Sequence, residues 1–192
     1  MPINLTKGQK VNLTKDNPDL TKVVVGLGWN ANAFDTGGAF DLDASAFLLG
    51  DNGRVTNDED FVFYHNLTHV SGAVKHSGDN RTGDGDGDDE QITIDLSGVP
   101  QNIVRIAITA TIDDPKALGL NFGQVNDAYI RVFDANTNEE LYRFDLTEDY
   151  SIETAIVFGE LYRHNGEWKF NAIGNGYQGG LAALCRSYGV NV

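Results

Sequence analysis

The densest run of chemically capable side chains in the sequence is GDNRTGDGDGDDE, residues 78–90, where Asp79, Asp84, Asp86, Asp88, Asp89 and Glu90 are balanced only by Arg81. Two carboxylates about 4 Å apart repel by about 1 kcal/mol in water and about 4 kcal/mol at an effective dielectric near 20. A compact loop of this composition therefore calls for a cation. Asp84, Asp86 and Asp88 alternate with Gly83, Gly85 and Gly87. Alternating oxygen donors suit calcium, and the glycines let the backbone take positive φ and turn carboxylates and carbonyls toward one centre. The competing reading is a solvated, disordered acidic stretch. Against it, QITIDL follows immediately, and its Ile92, Ile94 and Leu96 alternate as in a half-buried strand. The segment is not an EF-hand: counting from Asp84, the sixth position is Asp89 where the turn needs glycine, and no helical period flanks it.

A second acidic pair lies in FDLDAS. A strand there puts Asp41 and Asp43 on one side and Leu42, Ala44, Ala46 and Leu48 on the other. With the six acids of residues 78–90 these make eight carboxylates. One calcium uses about 6–8 oxygens, some of them from carbonyls and water, so two ions are expected.

Other chemistries fit less well. VVVGLGWNA offers Gly26-x-Gly28 after a strand, but NANAFDTGGAFD has no helical period to supply the helix N-terminus that holds a pyrophosphate. Gly174, Gly176 and Gly179 lie between a strand and a helix, yet the chain ends thirteen residues after Gly179, too soon for a second strand. His65 and His69 have i, i+4 spacing without a nearby cysteine, and read as structural histidines. Metal-assisted phosphoryl transfer would want basic clamps beyond Arg81, and no Gly-x-Ser-x-Gly elbow is present. Cys185, between apolar neighbours in a helical stretch, reads as a buried thiol, and a single cysteine without a cofactor motif argues against direct reduction of a substrate.

The elements that must position the acids are mostly strands. TKVVVGLGW, DLDASAFLLG, DFVFYHN, EQITIDL, NIVRIAITATI, AYIRVFDA, ELYRFDL and TAIVFGELYRHNGEWKFNAI recur between turn signals, with Asn165-Gly166 as a tight hairpin turn. This predicts a mainly β fold, an antiparallel β-sandwich, with a short middle helix near DPKALGLNFGQV and a C-terminal helix in GGLAALCRSYG stopped by Gly189. LDASAFLLGDNG and NDAYIRVFDANT form a faint internal repeat that would make Asp127 the counterpart of Asp43.

The 192 residues, 41% of them hydrophobic, suffice for one domain spanning 1–192. A formal charge of −14 disfavours nucleic acid and anionic membrane as direct partners, so membrane association is expected only through a partner. The N-terminus has no secretory pattern and no apolar run approaches a membrane span, giving a cytoplasmic expectation.

FDLDASAFLL, HSGDNRTGDGDGDDE, FGQVNDAYIRV and GGLAALCRSYGV closely resemble the TerD family of tellurium-resistance and stress proteins, over nearly the whole chain. The resemblance implies a cytoplasmic β-sandwich with two calcium ions, acting beside other products of a tellurite-resistance operon. Carried residue by residue, it points to Asp41, Asp43, Asp79, Asn80, Asp84, Asp86, Asp88 and Glu90 as the metal set. The function expected is a non-enzymatic, calcium-organised scaffold or partner-binding module. A metal-dependent enzyme acting on a phosphate-containing substrate or tellurite, and a calcium-switched membrane-docking module, are the alternatives.

Overall fold

A computed structural model of the protein describes residues 1–30, 41–78, 87–113, 115–146 and 152–192. Alternation of apolar and polar residues builds two sheets. The first contains β1 (Ile3–Asn4), β3 (Lys22–Asn30), β6 (Val74–His76), β7 (Glu90–Asp95), β9 (Asn126–Asp134) and β10 (Glu140–Asp145), in the order β1-β10-β9-β3-β7-β6. The second contains β2 (Lys10–Asn12), β4 (Leu42–Leu49), β5 (Phe61–Val62), β8 (Arg105–Ile112), β11 (Ala155–His164) and β12 (Glu167–Tyr177), in the order β2-β12-β11-β8-β4-β5. Pairing is antiparallel except between β1 and β10, which run parallel. The expected mainly β sandwich is therefore observed.

The main core lies between the sheets. Val23, Val25, Leu27 and Trp29 of β3 face Leu42, Ala44, Ala46 and Leu48 of β4 and their neighbours across it. The alternation expected for FDLDAS holds, so Asp43 projects from the outer face of the second sheet beside Ser45, Phe47 and Leu49. That outer face carries a second apolar cluster under the C-terminal helix α3 (Gly180–Tyr188), in which Phe47, Ala107, Val157 and Leu184 are buried. Gly189 ends α3 in the left-handed conformation, φ 84°, as its sequence position implies. The other α-helices among the described residues are single turns, α1 (Leu13–Asp16) and α2 (Pro115–Leu118), the latter being the expected middle helix. Asn165 and Gly166 both take positive φ, 53° and 75°, as the hairpin turn between β11 and β12 demands.

Gly26 and Gly28 sit inside β3 rather than at a nucleotide-binding turn. A β-carbon at Gly26 would overlap the Asp88 carboxylate, and one at Gly28 the Tyr129 ring. These glycines make room for side chains laid flat on the outer face of the first sheet.

Candidate functional site

Strand register gathers the acids at one end of the sandwich. Asn30 at the end of β3 pairs with Asn126 at the start of β9, Leu27 with Glu90 at the start of β7, Leu42 at the start of β4 with Ile112 at the end of β8, and Thr111 with Ala155 at the start of β11. Asp113 N–H donates to the Asp41 carbonyl at 2.8 Å, continuing this edge. Asp41, Asp43, Asp88, Asp89, Glu90, Asp113 and Asp127 thus share one end.

Three consecutive acids pin the end of the acidic segment to three different elements. Asp88, whose side chain has no exposed surface, accepts from Arg131 Nε at 2.7 Å and Nη2 at 2.8 Å in a two-pronged ion pair, from Tyr129 Oη at 3.1 Å, and from Gln91 Nε2 at 2.9 Å. Burial, with the Asp88 carboxylate beside it, pushes the Tyr129 hydroxyl up to about 12 and keeps it a donor. The hydrogen bond to Asp88 raises the Arg131 pKa further, despite partial burial. Asp89 Oδ2 accepts the Trp29 N–H at 2.9 Å. Glu90, 1% exposed, reaches between the sheets, where Oε2 accepts the Ala44 N–H at 2.6 Å and lies 3.2 Å from His76 Nε2.

The sequence reading counts Asp41, Asp43, Asp88 and Glu90 in one ligand set with Asp79, Asn80, Asp84 and Asp86. The last four lie outside the described residues. The other four reach the same end of the sandwich in different layers. Asp43, 5% exposed, lies on the outer face of the second sheet, Glu90 in the interior, and Asp88 on the outer face of the first sheet. Facing sheets pack about 10 Å apart, so Asp43 and Asp88 do not meet. Among the described residues alone, no group of three or more His, Cys, Asp or Glu side chains forms a metal-binding cluster.

Asp41 and Asp43 at this end carry hard carboxylate oxygens, which fit calcium and not a thiolate-seeking ion. Arg131 is the functional partner that sequence reasoning missed: it lies 43 positions from Asp88. Its one sequence-level signal was the alternation of Tyr129, Arg131 and Phe133 with the buried Ile130 and Val132, which marks an outward-facing cation.

The internal repeat is echoed in part. Asp43 and Asp127 both begin strands at this end, and Ala44 and Ala128 both face the core. Asp127, however, takes φ 52° at a register shift and accepts from Asn30 Nδ2, whereas Asp43 lies within a regular strand.

His69 is the structural histidine expected: it is 2% exposed, with Nε2 2.9 Å from Asp60 Oδ1 and Nδ1 2.7 Å from Ser71 Oγ. His65 is exposed and packs against the Phe63 and Tyr64 rings. Cys185 is 1% exposed, and burial pushes its thiol up to about 11. A thiol reagent at pH 8 is expected to label native protein only at the rate of opening, and urea-unfolded protein at once; rapid native labelling would contradict this environment.

The TerD domain family model matches residues 1–188. General stress protein 16U of Bacillus subtilis (strain 168) is 58% identical over 192 residues, covering all of both chains. Tellurium resistance protein TerD of Serratia marcescens is 55% identical over 191 residues, covering 100% of this chain and 99% of that one. A solved TerD homologue, SCO6318 of Streptomyces coelicolor A3(2), superposes with a TM-score of 0.71 at 22% identity, over 86% of this chain and 95% of its own, and shares the fold. No helix among the described residues is long and apolar enough to cross a membrane. By its motifs, its matched length and its full-length relatives, this chain belongs to the TerD family of tellurium-resistance and general stress proteins.

Proposed function

We propose that this protein is a calcium-binding, non-enzymatic component of a stress and tellurite-resistance response, whose acidic end serves as a surface for partner proteins. The observation carrying this reading is the convergence at one end of the sandwich: Asp41 and Asp43 flank Leu42, the first residue of β4, there, and Asp88, Asp89 and Glu90 tie down the end of the acidic segment there. On this reading Asp41, Asp43, Asp79, Asn80, Asp84 and Asp86 hold the ions, while Asp88 and Glu90 anchor the segment. Bound calcium would supply charge neutralisation and oxygen coordination to a loop otherwise held apart by its own repulsion. The partners are proteins encoded with it in a tellurite-resistance operon. The names of the stress and resistance relatives agree with a role other than catalysis.

Calorimetric titration is expected to show saturable calcium binding with magnesium competing weakly, and Asp43→Asn is expected to weaken it. An ion held only by the folded state stabilises by about 2.7 kcal/mol at a hundredfold excess over Kd, so chelator is expected to lower the melting temperature, most at low salt. Affinity capture from cells at saturating calcium, compared with chelator, then reads the partner. Absence of saturable calcium binding, or equal affinity for both ions, would sink the reading.

A further inference from the structure

A cleft of about 580 Å³ opens on the outer face of the second sheet, between the ends of β4 and β8, α2 and the start of α3. Its size is that of a small-molecule site. Pro115, Ile152 and Leu181 supply apolar walls, and Lys116 a cation.

Two further features point to a ligand. The N-cap residue of the nine-residue helix α3, Gly179, has no side chain to cap it; Gly179 and Gly180, at φ 96° and 61°, lead into the helix, and Leu181 and Ala182 of its first turn line the cleft. First-turn N–H groups have no partner within a helix and carry partial positive charge. Gly180 N–H donates to Thr154 Oγ1 at 2.9 Å, and Ile112 N–H to the Thr154 carbonyl at 3.1 Å, which fixes this helix start over the end of β8. Independently, Thr111 on the cleft wall is 1% exposed, and its hydroxyl makes no hydrogen bond among the described residues. Its neighbour on the same face, Thr109, donates to the Ser45 carbonyl. The Thr111 hydroxyl is therefore left to whatever occupies the cleft.

We propose that the cleft binds a small organic monocarboxylate, held by Lys116, the first-turn N–H groups of α3 and the Thr111 hydroxyl. One lysine and one helix end match a single negative charge better than a dianion. Asp113 also lines the cleft and repels further negative charge, so the ligand's other polar groups are hydroxyl or amino donors. Among the described residues the cleft meets the calcium reading only at Asp43, which lines the cleft and is assigned to calcium above, and the calcium and chelator buffers below separate the two.

The test is calorimetry with 2-hydroxyisocaproate, its neutral amide, glycerol 3-phosphate and inorganic phosphate, each in calcium and in chelator. Saturable binding of the hydroxy acid in either buffer is expected, with the amide and both phosphates weaker by about tenfold or more. Lys116→Gln and Thr111→Val are each expected to weaken it about tenfold, the scale of one hydrogen bond to a charged group. Thr111→Val is also expected to keep or raise the melting temperature, because the hydroxyl has no partner to lose. The proposal is overturned by absence of hydroxy-acid binding in both buffers, by equal binding of the amide or a phosphate, by undiminished binding in either variant, or by a lowered melting temperature in Thr111→Val.

Discussion

Arg131→Met is expected to lower the free energy of unfolding by about 3 kcal/mol, measured by urea denaturation with an unchanged slope. The variant keeps a long apolar stem but leaves the fully buried Asp88 carboxylate without its neutralising partner. Loss of one member of a buried pair costs about 3–5 kcal/mol. The lower figure applies because Arg131 is 26% exposed and because Tyr129 and Gln91 still donate to Asp88. Asp88→Asn is expected to cost less, since a neutral amide oxygen still accepts from the guanidinium and no buried charge is orphaned. Equal losses, or a larger loss for Asp88→Asn, would show that packing and not charge compensation dominates there.

The contrast between Asp88 and Asp43 shows what the sequence discloses and what it withholds. Alternation within FDLDAS is a local property of the pleat, and it gives the side of Asp43 correctly. The long strands and the α3 stop at Gly189 were legible for the same reason: each signal is complete within its own stretch. The use made of Asp88 depends on β7 and β9 both pairing with β3 and on the empty space above Gly26, none of which is local. Crowded acids with a single cation in their own segment look like a metal loop throughout, although the cation for one of them comes from another strand. The short strands β1, β2 and β6 gave no signal because two or three residues cannot display a period. They are held by neighbouring strands and not by their own composition.

Glu90→Ala is the other substitution with a large expected effect, because Glu90 completes a strand edge across the gap between the sheets. β5 pairs with β4 only at Ala46 and Phe47, leaving the backbone of Ala44 beyond the end of its ladder. Side chains from the first sheet take the place of that missing strand: Glu90 Oε2 accepts the Ala44 N–H, and His76 Nε2 donates to the Ala44 carbonyl at 2.9 Å. The tautomer follows from the network, since His76 Nδ1 accepts the Gly78 N–H at 2.9 Å and the proton of the neutral ring then sits on Nε2. Truncation to alanine leaves the buried Ala44 N–H unpaired, at about 1–3 kcal/mol, and opens a void where the side chain stood, for a total of about 3–4 kcal/mol. Glu90→Gln is expected to recover most of this, because its amide oxygen still accepts from Ala44. Native-state hydrogen exchange reads the contact itself: the Ala44 amide is expected to exchange faster in Glu90→Ala by more than the global loss of stability explains, and to stay protected in Glu90→Gln. A loss within about 0.5 kcal/mol, or an Ala44 amide unaffected by the truncation, would mean that β4 does not depend on this bridge. In that case Asp43, next in the chain to Ala44, would owe its position to β8 alone.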